Sequence, residues 1–106
     1  MTKFKHEPTF RIEGLLPEGK ENAISTRALM TYFNCTEREL RQMISSERRR
    51  GAVICSATTG GYFRPATYSE LLEFYRSLKS QADTINAALE STKHALEETE
   101  ENNEIL

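Results

Sequence analysis

Nowhere does the sequence approach the roughly 18 consecutive apolar residues that a membrane span requires. That excludes a membrane-spanning helix. The first residues, MTKFKHEPTF, hold no apolar h-region, so no secretory signal is expected and the expected compartment is the cytoplasm. Cysteine is scarce. Cys35 and Cys55 are isolated, with no CxxC pair, no neighbouring histidine and no metal-ligand spacing, and they read as free interior thiols. His6 lies in the N-terminal arm and His94 on the polar side of a tail helix, so neither finds a nucleophile to activate. Gly60-Gly61 is a turn, because no glycine loop of P-loop or dinucleotide type surrounds it. These absences exclude an enzyme, a cofactor and a metal from the expectation.

What is present is a chain of 106 residues, 38% apolar and 28% charged, enough for one folded domain with an extension. A net charge of −2 conceals an asymmetry. Residues 1–80 carry 13 Lys and Arg against 9 Asp and Glu, whereas residues 81–106 set Lys93 alone against 7 acids. A basic domain with an acidic tail results.

The periodicity of the chain assigns its elements. Residues 1–8 read as a flexible arm ending at Pro8. TFRIEGLL suggests a short helix capped by Thr9, with Phe10, Ile12, Leu15 and Leu16 apolar; Gly14 weakens that helix and leaves a strand open. PEGKENA is a turn-rich link. Ser25 caps a helix over Thr26 to Phe33, and Asn34-Cys35 ends it. Thr36 and Glu39 make a capping box that starts a second helix, with Leu40, Met43 and Ile44 inward and Gly51 as a left-handed stop. AVICS and GYFRP predict an antiparallel hairpin around Ala57–Gly61, with its glycines supplying positive φ. Ser69 then suggests the cap of a long helix.

The order helix, helix-turn-helix, hairpin, long helix resembles the winged-helix DNA-binding domain of small bacterial and bacteriophage proteins, over Leu15 to Phe63. The resemblance rests on Thr36, Leu40, Ile44, Gly51 and Ile54, on LLPEGKENAIS as the link between the first two helices, and on ICSATTGGYF as the wing. One departure stands out. Such domains carry a leucine where this chain has Glu47, so either Met43 fills the gap or the helix end stands away from the core. The resemblance implies an α+β, mainly α fold with a winged helix-turn-helix over 9–67 and a two-stranded wing; periodicity and charge add an arm over 1–8, a coiled-coil-like dimerisation helix over 68–96 and an acidic frayed tail over 97–106. It also implies double-stranded DNA as partner, a recognition helix over 36–50 in the major groove and a wing over 56–63 beside the backbone.

With Leu40 facing inward, steps of about 100° per residue turn Arg38, Gln42, Ser45 and Arg49 outward, with Arg41 on the flank. Arginine reads guanine bidentately, glutamine reads adenine, and serine serves base or phosphate. A solvated charged face is the competing explanation of the same pattern. Arg48, Arg49 and Arg50 sit better for phosphates than for bases, and they also complement the negative end of the helix dipole. Arg27 and Arg64 are secondary phosphate contacts in this reading, and Thr58 and Thr59 either approach a phosphate through backbone N–H groups or form a plain tight turn.

Beyond Ser69, Leu71, Tyr75, Leu78, Ala82, Ile85, Leu89, Thr92 and Leu96 recur at alternating spacings of four and three, a heptad seam running about 39 Å. Position a holds Tyr75, Ala82, Leu89 and Leu96; position d holds Leu71, Leu78, Ile85 and Thr92. A homodimer is expected, with parallel and antiparallel pairing both open. The functional expectation is a dimeric transcriptional regulator of bacterial or phage and mobile-element origin. The alternative is a winged-helix protein-protein module, or a phage replication or packaging adaptor with little sequence choice.

Overall fold

The computed structural model describes residues 6–101. It is mainly helical, with a small antiparallel sheet. Two compact units divide the chain between Phe74 and Tyr75. Residues 1–5 of the expected arm and 102–106 of the expected tail lie outside the described residues.

In the first unit α1 (Arg11–Leu15) is followed by a single 3-10 turn at Lys20–Asn22, β1 (Ile24–Ser25), α2 (Thr26–Phe33), α3 (Glu37–Arg49), β2 (Cys55–Ala57) and β3 (Gly61–Phe63). Serine and threonine caps set the two central helices where the sequence places them. The Ser25 hydroxyl accepts the Ala28 N–H at 3.1 Å. Asn34 closes α2 in the left-handed conformation, φ 51°, and its N–H returns to Met30 and Thr31. At α3 both halves of the capping box form: Thr36 Oγ1 accepts the Glu39 N–H at 3.1 Å, and Glu39 Oε1 accepts the Thr36 N–H at 2.9 Å. Gly51, at φ 111°, turns the chain out of α3 in a conformation that L side chains rarely adopt.

Burial follows helical spacing. Ile12 of α1, Leu16 just after it, Leu29 of α2, and Leu40 and Ile44 of α3 meet Ala52 and Ile54 in one core, while Phe10, Met30, Phe33 and Met43 pack half-buried around it. α1 is a helix, as the apolar positions suggest, but Thr9 is not its cap. Phe10 occupies that position and offers no side-chain acceptor. The acceptor comes from the far side of the core. Glu47 of α3 takes the Ile12 N–H at 2.8 Å on Oε2 and the Glu13 N–H at 3.0 Å on Oε1.

Neither expectation for Glu47 therefore holds. The position is not a gap filled by Met43, nor does the helix end swing outward; Glu47 is 5% exposed and its carboxylate is the remote N-cap of α1. Glu13, fully buried, returns the arrangement: it accepts the Val53 N–H at 2.6 Å and the Thr9 N–H at 3.2 Å, with His6 Nε2 2.6 Å from Oε2.

The expected two-stranded hairpin forms from β2 and β3, and β1, which the sequence did not suggest, adds a third strand in the order β1-β3-β2. β2 pairs with β3 through Cys55–Phe63, Ser56–Tyr62 and Ala57–Gly61, and β1 adds Ile24–Tyr62 and Ser25–Gly61. Only Gly60 of the glycine pair has positive φ, at 90°. Gly61 is needed for a different reason: a Cβ there would stand 2.5 Å from the Ile24 carbonyl oxygen, closer than carbon and oxygen approach.

α4 spans Tyr68–Glu101, so it runs on beyond Leu96, where the sequence suggests fraying. Ser69 lies inside it. The cap is Thr67, whose Oγ1 accepts the Glu70 N–H at 3.2 Å, while Glu70 Oε1 accepts the Ala66 N–H at 2.8 Å. Within the second unit, Tyr75, Leu78, Ile85, Leu89 and Leu96 are between 40% and 61% exposed.

Two substitutions probe these joints. Glu47→Leu restores an apolar residue but strands two buried N–H groups, each costing about 1–3 kcal/mol, so urea unfolding is expected to show a loss of about 2–5 kcal/mol. Gly61→Ala is expected to cost about 1–3 kcal/mol by forcing β1 away from β3, measured in the same way.

Candidate functional site

The capping box at Thr36 fixes the rotation of α3, and Leu40 and Ile44 anchor its inner side. One consequence is an outward face on which Arg38, Gln42, Ser45 and Arg49 are exposed, as helical stepping requires. With Glu37 and Arg41 they line one open depression along the helix. Arg41 is not a free cation there: it pairs with Glu37 one turn back. The spacing of those two residues announces that pair, and it removes part of the positive charge from the face.

Arg48 and Arg64 are committed elsewhere. The Arg48 guanidinium donates to the Ile54 carbonyl, through Nε at 2.9 Å and again through a terminal nitrogen that also donates to Ser56 Oγ at 3.1 Å. It also lies 5.1 Å from the centre of the Phe74 ring. Burial lowers its pKa from the ordinary arginine value, with Tyr62 and Cys55 acting the other way. This cation ties α3 to the hairpin, and the phosphate contact expected of it is replaced by that structural duty. Arg64 Nε donates to the Leu16 carbonyl at 2.8 Å, and its own N–H donates to Pro17 at 2.8 Å. It too is half-buried, holding the link after α1 against the end of β3.

Arg27, on the first turn of α2, is exposed, as are Thr58 and Thr59 in the turn between β2 and β3. Two further arginines, Arg11 and Arg50, stack on aromatic rings: Arg11 lies 4.9 Å from the Phe33 centroid and Arg50 lies 5.1 Å from that of Phe10. Both residues are exposed, and with Gln42 they border a second open depression beside α3. Sequence spacing does not reveal these two stacks, because each joins residues brought together by the packing of α1.

Cys55 is buried, and burial pushes its thiol up to about 12. It is an inert core side chain. Among the described residues no group of His, Cys, Asp or Glu is placed to hold a metal ion, and no helix is long and apolar enough to cross a membrane. Of the expected dimerisation residues, Leu71 is half-buried within the first unit, while Tyr75, Leu78, Ala82, Ile85, Leu89 and Leu96 are exposed.

No protein family, no curated protein and no solved structure matches the chain.

The pose of α3 carries its own pH signature. The backbone N–H of Thr36 and then its hydroxyl hold the Glu39 carboxyl below the ordinary carboxylate value, against a small opposing effect of burial. A depressed pKa stabilises the fold above the unfolded value, about 4.3, and that contribution disappears as pH falls through the folded value. Glu39→Gln is therefore expected to be less stable than the wild type at pH 7, with the difference closing below about pH 4. Urea midpoints at pH 7 and pH 3 measure it.

Proposed function

We propose that this chain binds double-stranded DNA, as a dimeric winged-helix regulator of transcription that lays α3 in the major groove and the turn between β2 and β3 beside the backbone. The element order supports the winged-helix reading: a first helix, a short strand, two helices joined by a tight turn, then a hairpin whose second strand takes the first strand as its other neighbour. The observation that carries the reading is the outward face of α3. Arg38, Gln42, Ser45 and Arg49 stand open on it, while of the three acids of the same helix Glu47 is turned into the core, Glu37 is paired with Arg41 and Glu39 is held in the capping box.

The contacts sort by chemistry. Arg38 and Gln42, early on the helix, suit base edges; Ser45 suits base or phosphate; Arg49, with Arg27 and the backbone of Thr58 and Thr59, suits phosphates. Arg41 contributes only when the DNA competes with Glu37 for it. Arg48 and Arg64 act indirectly, by holding the hairpin and the link in place.

Fluorescence anisotropy with labelled duplexes, selected from a random pool and repeated across a salt series, tests this. Arg38→Ala and Gln42→Ala are expected to cost about 1–3 kcal/mol each on the selected site and to relax its sequence. Arg49→Ala is expected to weaken all duplexes alike and to flatten the log–log salt slope by about 0.9. No salt-dependent binding would overturn the reading and favour a protein-contact module, whereas equal affinity for selected and random duplex would favour an adaptor.

A further inference from the structure

We infer that the exposed seam of α4 is covered by a second copy of the same helix running antiparallel, in the register that brings residue 87 of each copy together. The inference deepens the dimer part of the function proposed above. It is argued from α4 alone, whose second-unit residues expose Tyr75, Leu78, Ile85, Leu89 and Leu96 on one stripe.

Sizes along the seam are complementary under reversal. In this register Leu78 meets Leu96 of the second copy, Ile85 meets Leu89, and Ala82 meets Thr92, large with large and small with small through the three central layers, while Tyr75 meets Thr99 at the outer end. Moving one heptad either way breaks that match, setting Ala82 against Ile85, or Leu89 against Thr92. On one flank lie Ala88 and Ala95; the axis then passes beside Ala88, which faces its own counterpart and lets the two backbones approach.

The other flank carries the charge. It reads Arg76, Lys79, Asp83, Asn86, Glu90, Lys93, Glu97 and Glu100, basic at its start and acidic at its end. Reversal places Arg76 level with Glu97 and Glu100 of the second copy and sets Lys79 between its Lys93 and Glu97, so the attraction on this flank is concentrated at its outer ends. Asp83, 3.4 Å from Lys79 of its own helix, falls between Glu90 and Lys93 of the second copy, so it favours neither orientation. A parallel, in-register pair does the opposite. It gathers the acids at positions 97, 98 and 100 of both copies at one end and leaves the cations facing cations at the other. A helix whose two halves complement each other in size and in charge is matched to its own reverse, and an unrelated partner would require no such internal symmetry.

Disulfide trapping in the full chain decides the orientation. In a Cys35→Ser, Cys55→Ala background, Leu78→Cys and Leu96→Cys chains carrying different tags are oxidised each alone and, in parallel, as an equimolar mixture, at micromolar concentration. Antiparallel pairing gives a mixed Leu78→Cys with Leu96→Cys disulfide at least tenfold above either self-disulfide. Self-disulfides from each chain alone would overturn the inference in favour of parallel pairing.

Sedimentation of the unmodified chain supplies the second measurement. A dimer is expected, weakened by Arg76→Glu with Lys79→Glu and restored when Glu97→Lys and Glu100→Lys are added to the same chain. A monomer at all concentrations would overturn the inference; if that monomer still bound duplex DNA, the DNA reading would stand without it.

Discussion

The carboxylate of Glu47 is the joint on which the first unit turns. A helix of five residues has too few internal hydrogen bonds to stand by itself, and the first N–H groups of α1 point into the core, where water cannot reach them. Glu47 supplies both acceptors from α3, 2.8 and 3.0 Å away, and Glu13 of α1 answers by accepting the Val53 N–H after α3. Two buried acids thus join three separate segments. Each is tolerated because it is surrounded by donors, which is the condition for burying a carboxylate at all. An apolar residue at position 47 would pack the same space while leaving α1 without an anchor.

The same inward turn shapes the electrostatics of the outer surface. α3 carries three acids, and two of them are occupied locally: Glu39 in the capping box and Glu37 beside Arg41. With the third buried, Arg38 and Arg49 are left as the cations of the exposed face, beside Gln42 and Ser45. The stacked Arg11 and Arg50 extend positive charge around it without calling on further acids for partners. Stability and surface potential are here two results of one residue's orientation.

Much of this architecture is legible in the chain itself, where the signals are local. Ser25, Asn34, Thr36, Glu39 and Gly51 act within a few residues of themselves, and α2 and α3 begin and end where those residues place them. Leu40 and Ile44 follow from spacing in the same way. What escapes a linear reading is long-range. Glu47 looks like a defect in an apolar stripe because its partners lie 34 and 35 positions away. β1, of two residues, is too short to show alternation and exists only because β3 offers it an edge. Arg48 and Arg49 are neighbours of identical type, and only the position of the Ile54 carbonyl separates the structural one from the exposed one. The cap of α4 was readable after all, since Thr67 and Glu70 have the same spacing as Thr36 and Glu39.

The bond from Arg48 to Ile54 has a mechanical side. It bridges the last turn of α3 to Ile54 just before β2 and to Ser56 within it, so the end of the helix and the first strand of the hairpin are tied directly together. Whatever touches both surfaces meets them at a preset separation, and little freedom remains to be frozen when contact is made. The half-buried guanidinium, engaged with the chain's own Ile54 carbonyl, thereby sets how the two surfaces are presented.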